Sequence, residues 1–124
     1  MATFRKLEDI EVWKRSCRLA VDIYKLTAVE EISKDWSLRD QIRRSSVSIP
    51  SNIAEGYERD SNAEFSRFLK IAKGSCGELR TQLYIVKALE LIPQEIIDKF
   101  LKETIELSSM LQGMITYLQA KQDK

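Results

Sequence analysis

Two features of the chain invite a chemical reading. Cys76 stands between two glycines in Lys73-Gly-Ser-Cys-Gly-Glu78, and Glu55 and Glu78 are carboxylates that a pair of helices could bring together. A thiol in an electropositive, accessible setting can act as a nucleophile. Two facing carboxylates can divide general acid and base work. Neither feature has the companions it needs. The chain contains no histidine, which excludes Ser-His-Asp and Cys-His catalysis of the usual kind and the Glu-x-x-His ligands of di-iron bundles. No glycine-rich phosphate loop is present, because Gly74 and Gly77 fall inside a helical heptad pattern. Cys17 and Cys76 are too far apart in sequence to make a metal motif or a disulfide framework. A free cysteine on an apolar stripe is ordinarily inert core, with the small residues beside it admitting a neighbouring helix. The expectation is a protein without catalytic residues, cofactor or metal.

Two other groupings are more informative. Gln41, Arg44, Ser48, Asn52 and Glu55 step by three and four, so they share one helical face. Arg67, Ser75, Glu78 and Gln82 make a partner stripe further along. These stripes are either a solvated face or a hydrogen-bonded polar seam, within the molecule or between subunits; the short side chains of Ser48 and Asn52 suit the seam. The second grouping is basic. Arg39, Arg43, Arg44, Arg59, Arg67, Lys70, Lys73 and Arg80 crowd the middle of the chain, eight cations against six carboxylates from position 39 to 80. They are either surface ion-pair partners or a phosphate-binding patch. In the second case Arg39, Arg43, Arg44, Arg59, Arg67 and Lys70 would contact RNA phosphates. Recognition would rest on shape, since no aromatic residues interleave the arginines.

Four helices must position these residues. The first runs from about Asp9 to Thr27 and carries two apolar stripes, Ile10, Trp13, Cys17, Ala20 or Val21 and Tyr24 on one side, and Val12, Leu19, Ile23 and Leu26 on the other. Two stripes imply burial on two sides. Val29 to Trp36 reads as a connection. Ser37 is the expected cap of the second helix, whose Leu38, Ile42, Ile49, Ile53 and Tyr57 hold phase across Pro50, predicting a kink there rather than an end. Gly56 is the expected stop. Ser61 and Glu64 form a capping box. The third helix follows to about Leu91, with Phe65, Leu69, Ala72, Cys76, Leu79, Leu83 and Val86 as a heptad seam. Pro93 suits the first position of the fourth helix, whose seam is Ile97, Leu101, Thr104, Ser108, Leu111, Ile115 and Leu118. Short connections predict an all-α, antiparallel, up-and-down four-helix bundle.

The 124 residues read as a single domain, with an arm over residues 1–6 anchored by Phe4 and a charged tail at 121–124. The net charge of +1 gives no global field towards nucleic acid or membrane. The N-terminus lacks the apolar run of a signal peptide, and no stretch has the length and apolarity of a membrane span. With two unpaired cysteines, the expected setting is a reducing cytoplasm.

Two segments carry a family resemblance: Ser48-Ile49-Pro50-x-Asn52-Ile53-Ala54-Glu55-Gly56 and Phe68-Leu69-x-Ile71-Ala72-x-Gly74-Ser75. Through them the chain, from about Phe4 to Leu118, resembles the 23S rRNA-intervening-sequence protein family of small bacterial four-helix bundles. The resemblance implies an up-and-down bundle assembled as a homopentamer, a bacterial source, and an open reading frame of the kind found within insertions in large-subunit rRNA genes. It implies no established biochemical role. A similar bundle, the pentameric accessory protein of diversity-generating retroelements, works with RNA and a reverse transcriptase. The functional expectation is a non-enzymatic homo-oligomer that binds structured RNA. The alternative is a structural or protein-interaction module with no nucleic-acid role.

Overall fold

A computed structural model describes residues 4–122. After a 3-10 turn at Leu7–Asp9 come α1 (Glu11–Leu26), α2 (Glu30–Ser33), α3 (Trp36–Glu58), α4 (Asn62–Ala88) and α5 (Gln94–Gln122). The single turn of α2 interrupts the expected connection, and the four long helices form an antiparallel up-and-down bundle. No strand occurs among the described residues. α4 is central to the packing, lying closely against both α3 and α5, and α1 lies on α3. The contact of α1 with α5, which closes the bundle, is the loosest of the four.

Hydrophobic periodicity explains this arrangement. Every member of the expected α4 seam, from Phe65 to Val86, is buried. On α5 the core takes Leu107 rather than Ser108, which is only half-buried. Both residues fit an alternation of three and four after Thr104, and the larger apolar side chain has the burial free energy. On α1 the stripe of Val12, Leu19, Ile23 and Leu26 is buried, together with Ile10 and Ala20. Trp13 and Cys17 are half-buried, while Val21 and Tyr24 are exposed. Phe4 packs against the core. Residues 1–3 of the expected arm and 123–124 of the expected tail lie outside the described residues; Lys121 and Gln122 belong to α5.

The helix ends differ from expectation in instructive ways. Asp35, not Ser37, caps α3, its carboxylate accepting from Leu38 N at 3.1 Å. Ser37 instead accepts from the Gln41 side chain at 3.0 Å. α3 is continuous through Pro50, which is buried. It does not stop at Gly56 but runs to Glu58, and the residue that turns the chain is Asp60, with φ 63°. Gly56 has another cause: a Cβ there would meet Phe68 Cβ at 2.6 Å and Phe65 at 3.2 Å. It is glycine because α3 and α4 nearly touch at this level. Ser61 caps α4 as expected, accepting from Glu64 N at 3.1 Å. α4 ends at Ala88, short of Leu91, in a Schellman turn: Leu91 N donates to Val86 O, Glu90 N to Lys87 O, and Glu90 has φ 55°. Pro93 precedes the first residue of α5 and supplies a carbonyl to Ile96 N and Ile97 N.

Candidate nucleic-acid interface

Ser48 on α3 and Ser75 on α4 share a hydrogen bond of 2.8 Å between their hydroxyls. Asn52 donates to Ser48 Oγ at 2.9 Å and to Ser48 O at 2.8 Å. Ser48 Oγ therefore links Asn52 to Ser75, and the three residues form one hydrogen-bonded chain across the helix pair. Ser48 and Asn52 lie two residues either side of Pro50, whose missing N–H cannot bond the carbonyl of Ser46. The other members of the polar stripes are elsewhere. Gln41 is exposed beside Ser37, and Glu55 is exposed and paired with Arg59 at 3.1 Å. Glu78 is exposed, and Gln82 is half-buried with Oε1 enclosed and unbonded among the described residues.

The register set by Ser48 and Ser75 also separates the two carboxylates. Glu55 lies beyond Ser48 on α3, Glu78 lies beyond Ser75 on α4, and the helices are antiparallel. At 1.5 Å per residue they are about 15 Å apart along the axis, too far to share a proton. Cys76 is buried, its thiol donates to Thr104 O at 3.0 Å, and burial pushes its pKa up. A thiol held in that state is a packing group. Among the described residues no cluster of His, Cys, Asp or Glu could hold a metal ion, and no helix is long and apolar enough to cross a membrane.

The six basic residues expected to contact phosphate divide into three groups. Arg43 is committed to the fold: it donates to Thr27 Oγ1 at 2.8 Å and to Tyr24 O at 3.3 Å, and it lies 4.5 Å over the Tyr24 ring, tying α3 to the end of α1. Arg39, Arg59 and Arg67 are in surface ion pairs, with Asp40, with Glu55 and Glu64, and with Glu64 respectively. Arg59 and Arg67 also cover the Phe68 ring, at 5.0 and 4.4 Å. Arg44 and Lys70 are exposed and make no side-chain bond among the described residues.

A well-connected cation that no pattern within one helix marks is Arg15. Arg15 of α1 donates to Glu103 and, at 2.8 Å, to Glu106 of α5, and it reaches Met110 Sδ at 3.3 Å. The available signal was the pair Glu103 and Glu106 on one face of α5, one turn apart. Arg15 holds the Glu106 carboxyl below the ordinary glutamate range. A depressed folded-state pKa means that the unfolded chain binds the proton more readily. This contribution to stability is therefore present above the unfolded value of about 4.3 and is lost as pH falls through the lower folded value. The Arg15→Met variant should lose less stability than the wild type when both are titrated below about pH 4.3. Parallel acid limbs in urea-unfolding curves would show that the pair contributes nothing.

Fold and surface together place the molecule among the up-and-down helical bundles, with cations on α3 and α4. The model of the 23S rRNA-intervening sequence protein family matches residues 8–113, and the chain belongs to that family. Among solved structures, it is similar to a protein of unknown function from the S23 ribosomal protein family of Bacteroides thetaiotaomicron. The two share 30% sequence identity and a TM-score of 0.77, over 84% of this chain and 97% of that one. No curated protein matches the chain.

Proposed function

We propose that this protein is a non-enzymatic homo-oligomer, a pentamer by family resemblance, that binds structured RNA in the cytoplasm. The observation that carries the reading is the cation excess on the first half of α4, where Arg67, Lys70 and Lys73 stand against Glu64 alone, beside Arg39, Arg43 and Arg44 of α3, in a chain of net charge +1. Arg39, Arg44, Arg59, Arg67 and Lys70 supply the surface charge, and Arg43 supports it from beneath by fixing α3 on α1. Exposed ion pairs contribute little to folding, so their arginines can exchange a carboxylate for a phosphate at small cost. The family description refers to 23S rRNA and that of the structural relative to ribosomal proteins, and neither names a reaction. In a ring the modest patch of one subunit would be repeated, and linked weak contacts raise avidity by roughly 10²–10⁴.

A second reading, a structural or protein-interaction module, is favoured by the exposed apolar residues Val21, Tyr24, Trp36, Ile71, Ile85 and Leu89. A salt titration separates the two. Binding of the full chain to a labelled structured rRNA fragment should weaken by about 0.9 log units per log unit of salt for each duplex phosphate neutralised. The variant Arg39→Glu, Arg44→Glu keeps the Arg43 tie and should bind at least tenfold more weakly. Absence of wild-type binding at low salt would put the interaction-module reading first.

A further inference from the structure

The groove between α4 and α5 collects cations that the ion pairs do not use. It has a volume of about 480 Å³ and is lined by Lys70, Lys73 and Arg80 on one side, with Ser108 and Gln112 across from them and no carboxylate in the lining. Among the described residues none of these three cations lies within 4.0 Å of an acidic group, whereas Arg39, Arg59 and Arg67 all do. Lys73 donates to Gln112 Oε1 at 2.6 Å, and Arg80 to Thr104 Oγ1 at 3.3 Å; both partners are uncharged. Three like charges on one groove wall repel one another, and an anion between them removes that repulsion.

The floor of the groove is equally specific. Gly74 and Gly77 lie in the interior of α4, where glycine weakens a helix, and a Cβ at either position would meet nothing within 4 Å. Unlike Gly56, they are not demanded by packing inside the chain. Their effect is to bare the α4 backbone between the cations, so that a ligand chain can lie close to the helix.

We propose that this groove seats a stretch of RNA backbone. Lys70 and Lys73, one helical turn apart, would share one phosphate. Arg80, about 10 Å further along the axis, would take another. The uncharged Ser108 and Gln112 face the intervening ribose and can hydrogen-bond its 2′-hydroxyl. The spacing selects a polymer of phosphodiesters over a single inorganic phosphate. This inference rests on the RNA-binding reading above and gives it a location apart from the cations of α3.

The test uses the full chain and the same labelled rRNA fragment, followed by fluorescence anisotropy across a salt series. Lys70→Gln, Lys73→Gln should weaken binding at least tenfold and lower the slope of log affinity against log salt by about 0.7–0.9 for each phosphate that is no longer neutralised. Gly74→Ala, Gly77→Ala should weaken binding while raising the melting temperature, a combination that a damaged fold cannot produce. If the lysine variant binds like the wild type and Arg39→Glu, Arg44→Glu does not, the groove is wrong and the RNA reading stands. If the wild type binds nothing, both fall. If the glycine variant changes the oligomer mass, the bare backbone is a subunit contact and the groove proposal is overturned.

Discussion

Replacing Gly56 with alanine is expected to destabilise the protein by about 2–3 kcal/mol, the upper range for overpacking a close contact. The added methyl would sit 2.6 Å from Phe68 Cβ. That atom is fixed to the α4 backbone, so no rotamer change relieves the clash; the two helices must move apart. Separation would disturb the edge contact of Tyr57 with Phe65, whose ring centroids are 6.0 Å apart. Helix propensity works the other way, by about 1 kcal/mol in favour of alanine, and the expected cost is net of it. The internal control is Gly77→Ala, where the same propensity gain meets no obstruction and should stabilise by up to about 1 kcal/mol. Urea midpoints at a fixed protomer concentration, needed because assembly shifts apparent stability, measure both. Opposite shifts of the predicted sizes support the close approach of α3 and α4. A Gly56→Ala variant as stable as the wild type would refute it.

On α1, Ile23→Ala should cost about 2–5 kcal/mol, whereas Val21→Ser should cost the fold about 0.5 kcal/mol or less. Ile23 is fully buried, and Val21 is 54% exposed two residues away. Helix 1 thus has one face that the monomer uses and one that it leaves in water. If Val21 and Tyr24 meet a second copy, Val21→Ser should lower the oligomer mass in light scattering while circular dichroism stays unchanged. An Ile23→Ala variant with an unaltered midpoint would mean that α1 packs by a different face.

What could be read from the sequence was whatever depends on neighbours along one helix. The α4 heptad, the Ser61 cap and the bundle class follow from spacing within single segments. Gly56 was misread as a stop because its reason, Phe68, lies on another helix and is invisible to local rules. Arg43 looked like a surface cation for the same reason: Thr27 and Tyr24, its partners, come earlier in the chain, at the end of α1. Arg15 was passed over because its carboxylates are 88 and 91 residues away. Leu107 and Ser108 differ by one position in a pattern that tolerates either, and only packing decides. The polar stripes were legible as stripes, but which members meet, Ser48, Asn52 and Ser75, depends on the register between helices.

The loose closure between α1 and α5 also has a kinetic meaning. The helical hairpins α3–α4 and α4–α5 join segments adjacent in sequence, so their loop-closure entropy is small and they can form early. The α1–α5 closure must bring together nearly opposite ends of the chain and is the most loosely packed once made. α1 is therefore held chiefly through α3, where Arg43 ties it, and its side towards α5 is the seam expected to open first. Amide protons of α1 would exchange with solvent through this partial opening, at a free energy below that of global unfolding. An opening there bares Leu19 and Phe100, which line the groove between α1 and α5, and offers an apolar edge to the first helix of a neighbouring copy.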